Sequence, residues 1–214
     1  MMLKHMAERG TSPRSVLSKS IGWAMTILSE QEFLVLNGAH LKKMARAEEI
    51  ASATGLDVSV VKPVLDAAAS NGLLMIAEGK HLLLPEGTSA VHEYYRTAYE
   101  GLRSNEAVLM WYERFETINE QFIKQVSEWQ SADGDERIQS RLIRTVERLS
   151  KNLQELTPLI PRYENYLNRF GASVARIDEG EKEFVCTPTI DSVHNIWFEF
   201  HEDILSVIGR PRDI

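Results

Sequence analysis

One cysteine, Cys186, stands in 214 residues. No disulfide can close within the chain, and a CxxC zinc site is excluded. A reducing cytoplasm is the expected compartment. No apolar run approaches the roughly 20 residues that cross a bilayer, so no membrane association is expected. The opening MMLKHMAERGTSPRS lacks the apolar stretch of a secretory signal. Phosphate-cradling loops of the GxxxxGK(S/T) or GxGxxG type are missing, and so is a GxSxG nucleophile elbow. Cys186, in FVCTP, has no histidine near it in sequence, which leaves a thiolate nucleophile little basis. Positive charge is short as well. The net charge is -7, and residues 1–90 balance 9 basic against 9 acidic side chains, so the whole acidic excess lies later. That argues against a phosphate-binding surface in the C-terminal part. Aromatic residues are scarce early: only Trp23 and Phe33 precede residue 91.

What is present is an ordinary globular composition, 43% hydrophobic and 26% charged, in a length that suits one large or two small domains. Residues 1–30 read as an N-terminal extension, partly helical. Apolar positions from Val16 through Ile21, Trp23, Ile27 and Leu28 to Leu36 have helical spacing, interrupted near SEQE. RAEEIASATG reads as a helix stopped by Gly55. LDVSVVKPVLDAAASNGLL follows, with Asp57 or Ser59 as N-cap and NG as its end. LLMIAEGKHLLL places two apolar arms around EGK, the pattern of a β-hairpin. Over residues 31–87 the order is therefore that of a winged helix, three helices and a hairpin wing. It resembles the MarR-type layout over residues 31–86. Base- and phosphate-reading helices carry Arg, Lys, Asn or Gln. Here the third helix offers Lys62 against Asp57 and Asp66, with Pro63 interrupting its first turns. The wing offers Lys80 and His81 beside Glu78, and Lys42, Lys43 and Arg46 form the one basic cluster. Protein contact or packing is thus favoured over nucleic acid as the use of this unit, with DNA left as the alternative.

Residues 88–214 read as an antiparallel helical bundle with short connections. Helices are expected over about 89–130 (broken near LRSNE), 136–156, 159–179 and 189–208, the last ending at Gly209 with Pro211 behind it. DEGEKEFVCTP reads as a loop with a short extended piece at EFVC. The expected fold class is mainly α, a winged helix followed by the bundle. Arg137, Arg141, Arg144 and Arg148 share one helix face, read either as solvated or as an anion-binding stripe.

Two constellations draw attention. In PTIDSVHNIWFEFHEDILSVIG the apolar seam runs Ile190, His194, Trp197, His201, Ile204, Ile208. Its two histidines are seven residues apart, roughly 10 Å along the axis, which is too far to share a metal ion, and no metal site is expected. Asp191, three residues before His194, is placed to orient that ring. Glu202 and Asp203 flank His201 but face elsewhere. The second constellation is VLMWYERFETINEQFIKQVSEWQ. There Trp111, Phe115, Phe122 and Trp129 line one face, with Asn119 beside it and Tyr112 at its start. If the two faces meet they form either a filled aromatic core or an apolar pocket with Asn119, His194 and His201 as its polar points.

Three segments carry a further resemblance: YERFETINEQFIKQVSEWQ at 112–130, IPRYENYLNRF at 160–170, and PTIDSVHNIWFEFHEDILSVIG at 188–209. In that order, behind a winged helix, they resemble a helical module associated with or fused to actinobacterial enzymes of the pyruvate-phosphate dikinase and phosphoenolpyruvate synthase group. Those enzymes move phosphate from ATP through a histidine on a swivelling domain. The ATP-grasp and swivelling domains are larger than anything here. The resemblance therefore implies an accessory or acceptor-binding subunit of such a phosphotransferase (a kinase), with ATP and Mg on the partner subunit and no cofactor on this chain. The acceptor it implies is a small aromatic or phenolic molecule. His201 or His194 would act as base on its hydroxyl. Trp111, Tyr112, Phe115, Asn119, Phe122, Trp129, Asp191, Trp197, Glu202 and Asp203 would bind it. The alternative is a ligand-responsive winged-helix transcription regulator. DNA binding would show as strong salt dependence.

Overall fold

The computed structural model describes residues 27–211. Most of the expected N-terminal extension and its helix therefore lies outside the described residues. Helix α1 (Glu30–Lys42) starts where Ser29 and Glu32 cap each other reciprocally: the Glu32 carboxylate accepts the Ser29 backbone N–H at 2.8 Å. Phe33, Val35, Leu36, Asn37, Gly38, Ala39 and Leu41 are all buried. A helix apolar almost all round has to lie inside a fold, and α1 contacts α2, α3, α4, β2 and α9. Gly38 lets α2 approach closely, since a Cβ there would meet Thr54 Cγ2 at 2.8 Å.

α2 (Ala47–Thr54) ends on left-handed Gly55, and α3 (Val58–Ser70) begins where the Asp57 carboxylate accepts the Ser59 N–H at 2.7 Å. Pro63 does not interrupt α3. It sits exposed in the helix interior, giving up one intrahelical hydrogen bond. β1 (Leu74–Ala77) and β2 (Lys80–Leu83) pair antiparallel, with Leu74 opposite Leu83 and Ile76 opposite His81. The two-residue turn uses Glu78 and Gly79, both at positive φ, the geometry that follows strand twist. Ala45, between α1 and α2, bridges to His81 on the hairpin's other edge.

α4 (Pro85–Ala98) opens with Pro85 in its first turn, where a missing N–H costs nothing. Gly87 stands against the backbone here: a Cβ would lie 2.1 Å from the Leu73 carbonyl oxygen. A short 3-10 turn, Glu100–Leu102, and the Asn105 cap separate α4 from α5 (Glu106–Ser131). The expected long helix is thus two helices, broken at LRSNE. Asp133 and Gly134, both at positive φ, turn the chain into α6 (Glu136–Leu153), which packs back on α5. Arg137, Arg141, Arg144 and Arg148 are all exposed on α6. A 3-10 turn at Pro161–Tyr163 leads into α7 (Glu164–Asp178).

EFVC is helical, not extended. It forms α8 (Glu183–Cys186), one turn that buries Val185 against the core. α9 (Val193–Ile208) starts four residues later than the spacing suggests, because the Ser192 hydroxyl caps it by accepting the Asn195 N–H at 3.3 Å. Gly209, left-handed, ends it. The described chain is mainly helical, with one two-stranded sheet. A single buried apolar cluster runs from Leu28 to Ile208 and continues across residues 87–88. No described helix is long and apolar enough to cross a membrane.

Candidate functional site

The two aromatic faces do meet. Phe122 stacks flat on Trp197, with ring centroids 3.8 Å apart. Phe115 sits between Trp111 at 5.6 Å, Phe200 at 5.4 Å and Trp197 at 6.1 Å. Both indoles are tied down: Trp197 Nε1 donates to Asn119 Oδ1 at 2.9 Å, and Trp111 Nε1 donates to the Asn152 carbonyl at 2.7 Å. Tyr112 is buried beneath the Arg210 guanidinium, 5.1 Å from its ring centroid. These rings are in van der Waals contact, so a ligand entering the seam would have to part them. Trp129 stands apart from this stack, half-buried over Gly134.

The seam histidines lie at the edge of that stack. His194 is half-buried, its ring 6.4 Å from Phe122, and burial lowers its pKa, which keeps the imidazole neutral at pH 7. His201 packs edge-on to Phe115 at 5.3 Å, with Nε2 3.7 Å from Glu116 Oε1. Glu202 is half-buried on the same turn of α9 as His201.

The expectation that Asp191 orients His194 is not met. Asp191 precedes the helix, and its carboxylate turns to Lys42 Nζ at 2.8 Å and to Arg169 at 2.9 and 3.0 Å. Burial would raise the Asp191 carboxyl. The hydrogen bonds and charge of Arg169, with Lys42, outweigh burial and hold it at about 2.

Asp203 is wholly buried at the centre of a second set of polar contacts. The Arg162 guanidinium grips both its oxygens, one at 2.5 Å. Tyr163 and Tyr166 hydroxyls each donate to it at 3.2 Å, and Asn37 Nδ2 donates at 3.4 Å. Tyr95 in turn donates to Asn37 Oδ1 at 2.9 Å. Burial, then the Asp203 charge, raises Tyr95, Tyr163 and Tyr166 well above their ordinary pKa, so these phenols stay protonated donors. Arg162 lies within 6 Å of the ring centroids of Phe33, Tyr95, Tyr99 and Tyr163, which offer their faces to its charge.

The two sets join through α9. Glu199, buried, takes Arg169 at 2.7 Å and Lys42 at 3.0 Å. One continuous network of charges thus ties α1 (Asn37, Lys42) to α7 (Arg169, Tyr166) and α9 (Glu199, Asp203). Sequence reasoning missed Arg162, Arg169, Glu199 and Asn37, and it read Lys42 only as part of a basic cluster with Lys43 and Arg46. Two signals were available: Arg162 and Arg169 stand seven apart, on one face of IPRYENYLNRF, and Asn37 interrupts the apolar run FLVLNGAHL. Above the network, between the α1–α2 connection and the start of α9, opens a cleft of about 640 Å³. Among the described residues no group of three or more His, Cys, Asp or Glu side chains is arranged to hold a metal ion. Compared with family models, curated proteins and solved structures, the chain matches none.

Proposed function

We propose that this chain is an accessory subunit that presents an acceptor to an ATP-dependent phosphotransferase of the dikinase type, and that residues 31–87 form a winged helix used for protein contact. The exposed face of α3 carries the reading. It offers Ser59, Lys62, Pro63, Asp66, Ala67 and Ser70, and its single cation already pairs with Glu48 at 2.9 Å. Such a face has little to offer phosphates or base edges. The order of three helices and a hairpin, with Ala45 adding a bridge to its edge, supports the winged-helix assignment. The phosphotransferase itself rests on the resemblance of residues 112–130, 160–170 and 188–209. Within that reading, neutral His194 at the seam's edge has the protonation state of a general base.

The same helix order favours one other reading, a ligand-responsive regulator. Affinity purification of the full chain with nuclease present, followed by mass spectrometry, separates the two. A stoichiometric ATP-grasp partner is expected, and its activity on a phenolic acceptor should fall in His194→Ala or His201→Ala. Two fully active variants would end the catalytic role of both histidines. A homodimer that retains DNA fragments only when nuclease is omitted would favour the regulator.

A further inference from the structure

We propose that the cleft of about 640 Å³ between the α1–α2 connection and the start of α9 binds a small molecule with an anionic group on an apolar body, and that Lys43 and Lys80 take the anion. The inference stands apart from the phosphotransferase reading, because it uses neither the aromatic seam nor its histidines. The volume falls in the range of small-molecule sites.

Charge bookkeeping in the wall decides the sign of the ligand. Four carboxylates line the cleft, and all are engaged. Asp191 and Glu199 are each held by Lys42 and Arg169. Glu48 pairs with Lys62, and Glu49 accepts the Arg46 N–H at 2.6 Å. Lys43 and Lys80 line the same cleft, and among the described residues neither has a carboxylate within 4.0 Å. Counting Arg169 and Lys62, five cations meet four carboxylates, an excess of one positive charge, and the two cations without a carboxylate partner, Lys43 and Lys80, face the cleft.

Backbone geometry at Lys43 is the second observation. Its φ of 65° and ψ of -56° lie outside the regions that side-chain-bearing residues favour, and the Met44 N–H donates to the Lys42 carbonyl at 2.8 Å. This is a γ-turn of the rare positive-φ kind, and it stores strain at a residue that lines the cleft. The same turn leaves Met44 46% exposed, and across the cleft Phe198 is 38% exposed. An apolar body resting on Met44 and Phe198 would place its anion within the reach of lysine side chains on the α1–α2 connection and β2.

Phenyl phosphate is the probe, titrated calorimetrically into the full chain, with inorganic phosphate and trimethylphenylammonium as comparators. Saturable binding at one per chain is expected, with Kd below about 1 mM and weakening as salt rises. Lys43→Gln combined with Lys80→Gln should weaken it about 10-fold or more. Phe198→Ala should weaken phenyl phosphate but not inorganic phosphate. On the unaltered protein, phenyl phosphate should slow amide exchange over residues 41–45 and 188–198, a readout independent of how any variant folds. The proposal is overturned by an absence of saturable binding, by unchanged affinity in a folded double-lysine variant, by equal or tighter binding of the cation, or by exchange protection elsewhere only.

Discussion

Asp203→Asn keeps the shape of the buried side chain and removes its charge. Asp203 accepts from Arg162, Tyr163, Tyr166 and Asn37 and has no exposed surface. Arg162 would be left charged among four aromatic rings, its side chain 13% exposed, with no carboxylate to meet it. The asparagine would also present an N–H₂ to groups that are themselves donors. Removing one member of a buried ion pair costs about 3–5 kcal/mol, because the other charge stays desolvated. Domains are stable by about 5–15 kcal/mol, so this is a large share. Urea unfolding should show a lower midpoint at unchanged slope. At roughly 2–4 °C per kcal/mol for a chain of this size, Tm should fall by about 6–20 °C. Asp203→Leu joined to Arg162→Met removes both charges and should cost clearly less than the sum of its single variants. A single variant that loses under about 1 kcal/mol would refute the argument, as would a double variant that equals the sum.

Two further perturbations follow. Gly87→Ala forces a Cβ into the Leu73 carbonyl, so it should cost about 1–3 kcal/mol of stability, read as a lower urea midpoint, although φ at Gly87 is ordinary; an unchanged midpoint would mean that α4 does not approach Leu73 so closely. Acid titration of stability should show two windows. His40, lowered to about 4 chiefly by burial and also by Lys43 and His92, against a small opposing effect of Asp203, binds its proton less readily folded than unfolded. Stability is therefore complete above about pH 6.5 and declines as pH falls to about 4. Asp191, held at about 2 against an ordinary 3.8, contributes about 2 kcal/mol that is present above pH 4 and lost as pH falls towards 2. In pH-dependent urea midpoints, His40→Gln should flatten the upper window and Asp191→Asn the lower, each alone.

Local signals carried the helix order well, because caps and breakers act within a few residues. Gly55, Asp57, the EG turn, SADGDE and Gly209 end or start elements where the spacing suggests. Short pieces were less legible. EFVC has β-type residues, yet one buried valine and neighbours on α7 and α9 draw it into a helical turn. The seam was legible as a seam, and Asn119, Phe122 and Trp197 do come together. What periodicity could not reveal was which polar residues would be buried. Asp191 looks like a partner for His194 at helical spacing, but its true partners are 22 and 149 residues away. Asp203 reads as one more acid in FHEDIL; only the packing of α1, the Pro161–Tyr163 turn and α7 against α9 shows that four residues donate to it. Buried charge is a property of tertiary contact, so a local pattern does not encode it.

The network also bears on how the cleft would work. A regulator that answers a ligand needs two arrangements separated by a few kcal/mol, and a ligand that prefers one. Here α1 is joined to α7, the turn before it and α9 by one buried and one half-buried arginine, a half-buried lysine, three carboxylates and a run of tyrosines. Swinging residues 31–87 away from the rest would part Lys42 from Asp191 and Glu199, and Asn37 from Asp203, while Arg169 and Arg162 kept hold of those carboxylates. It would also open the apolar cluster that spans both parts. Exposing that apolar surface to water disfavours the opened arrangement. A small anion in the cleft supplies too little binding energy to reverse that balance. Binding there fits a preformed cleft between the α1–α2 connection and the start of α9, and it does not fit a hinge.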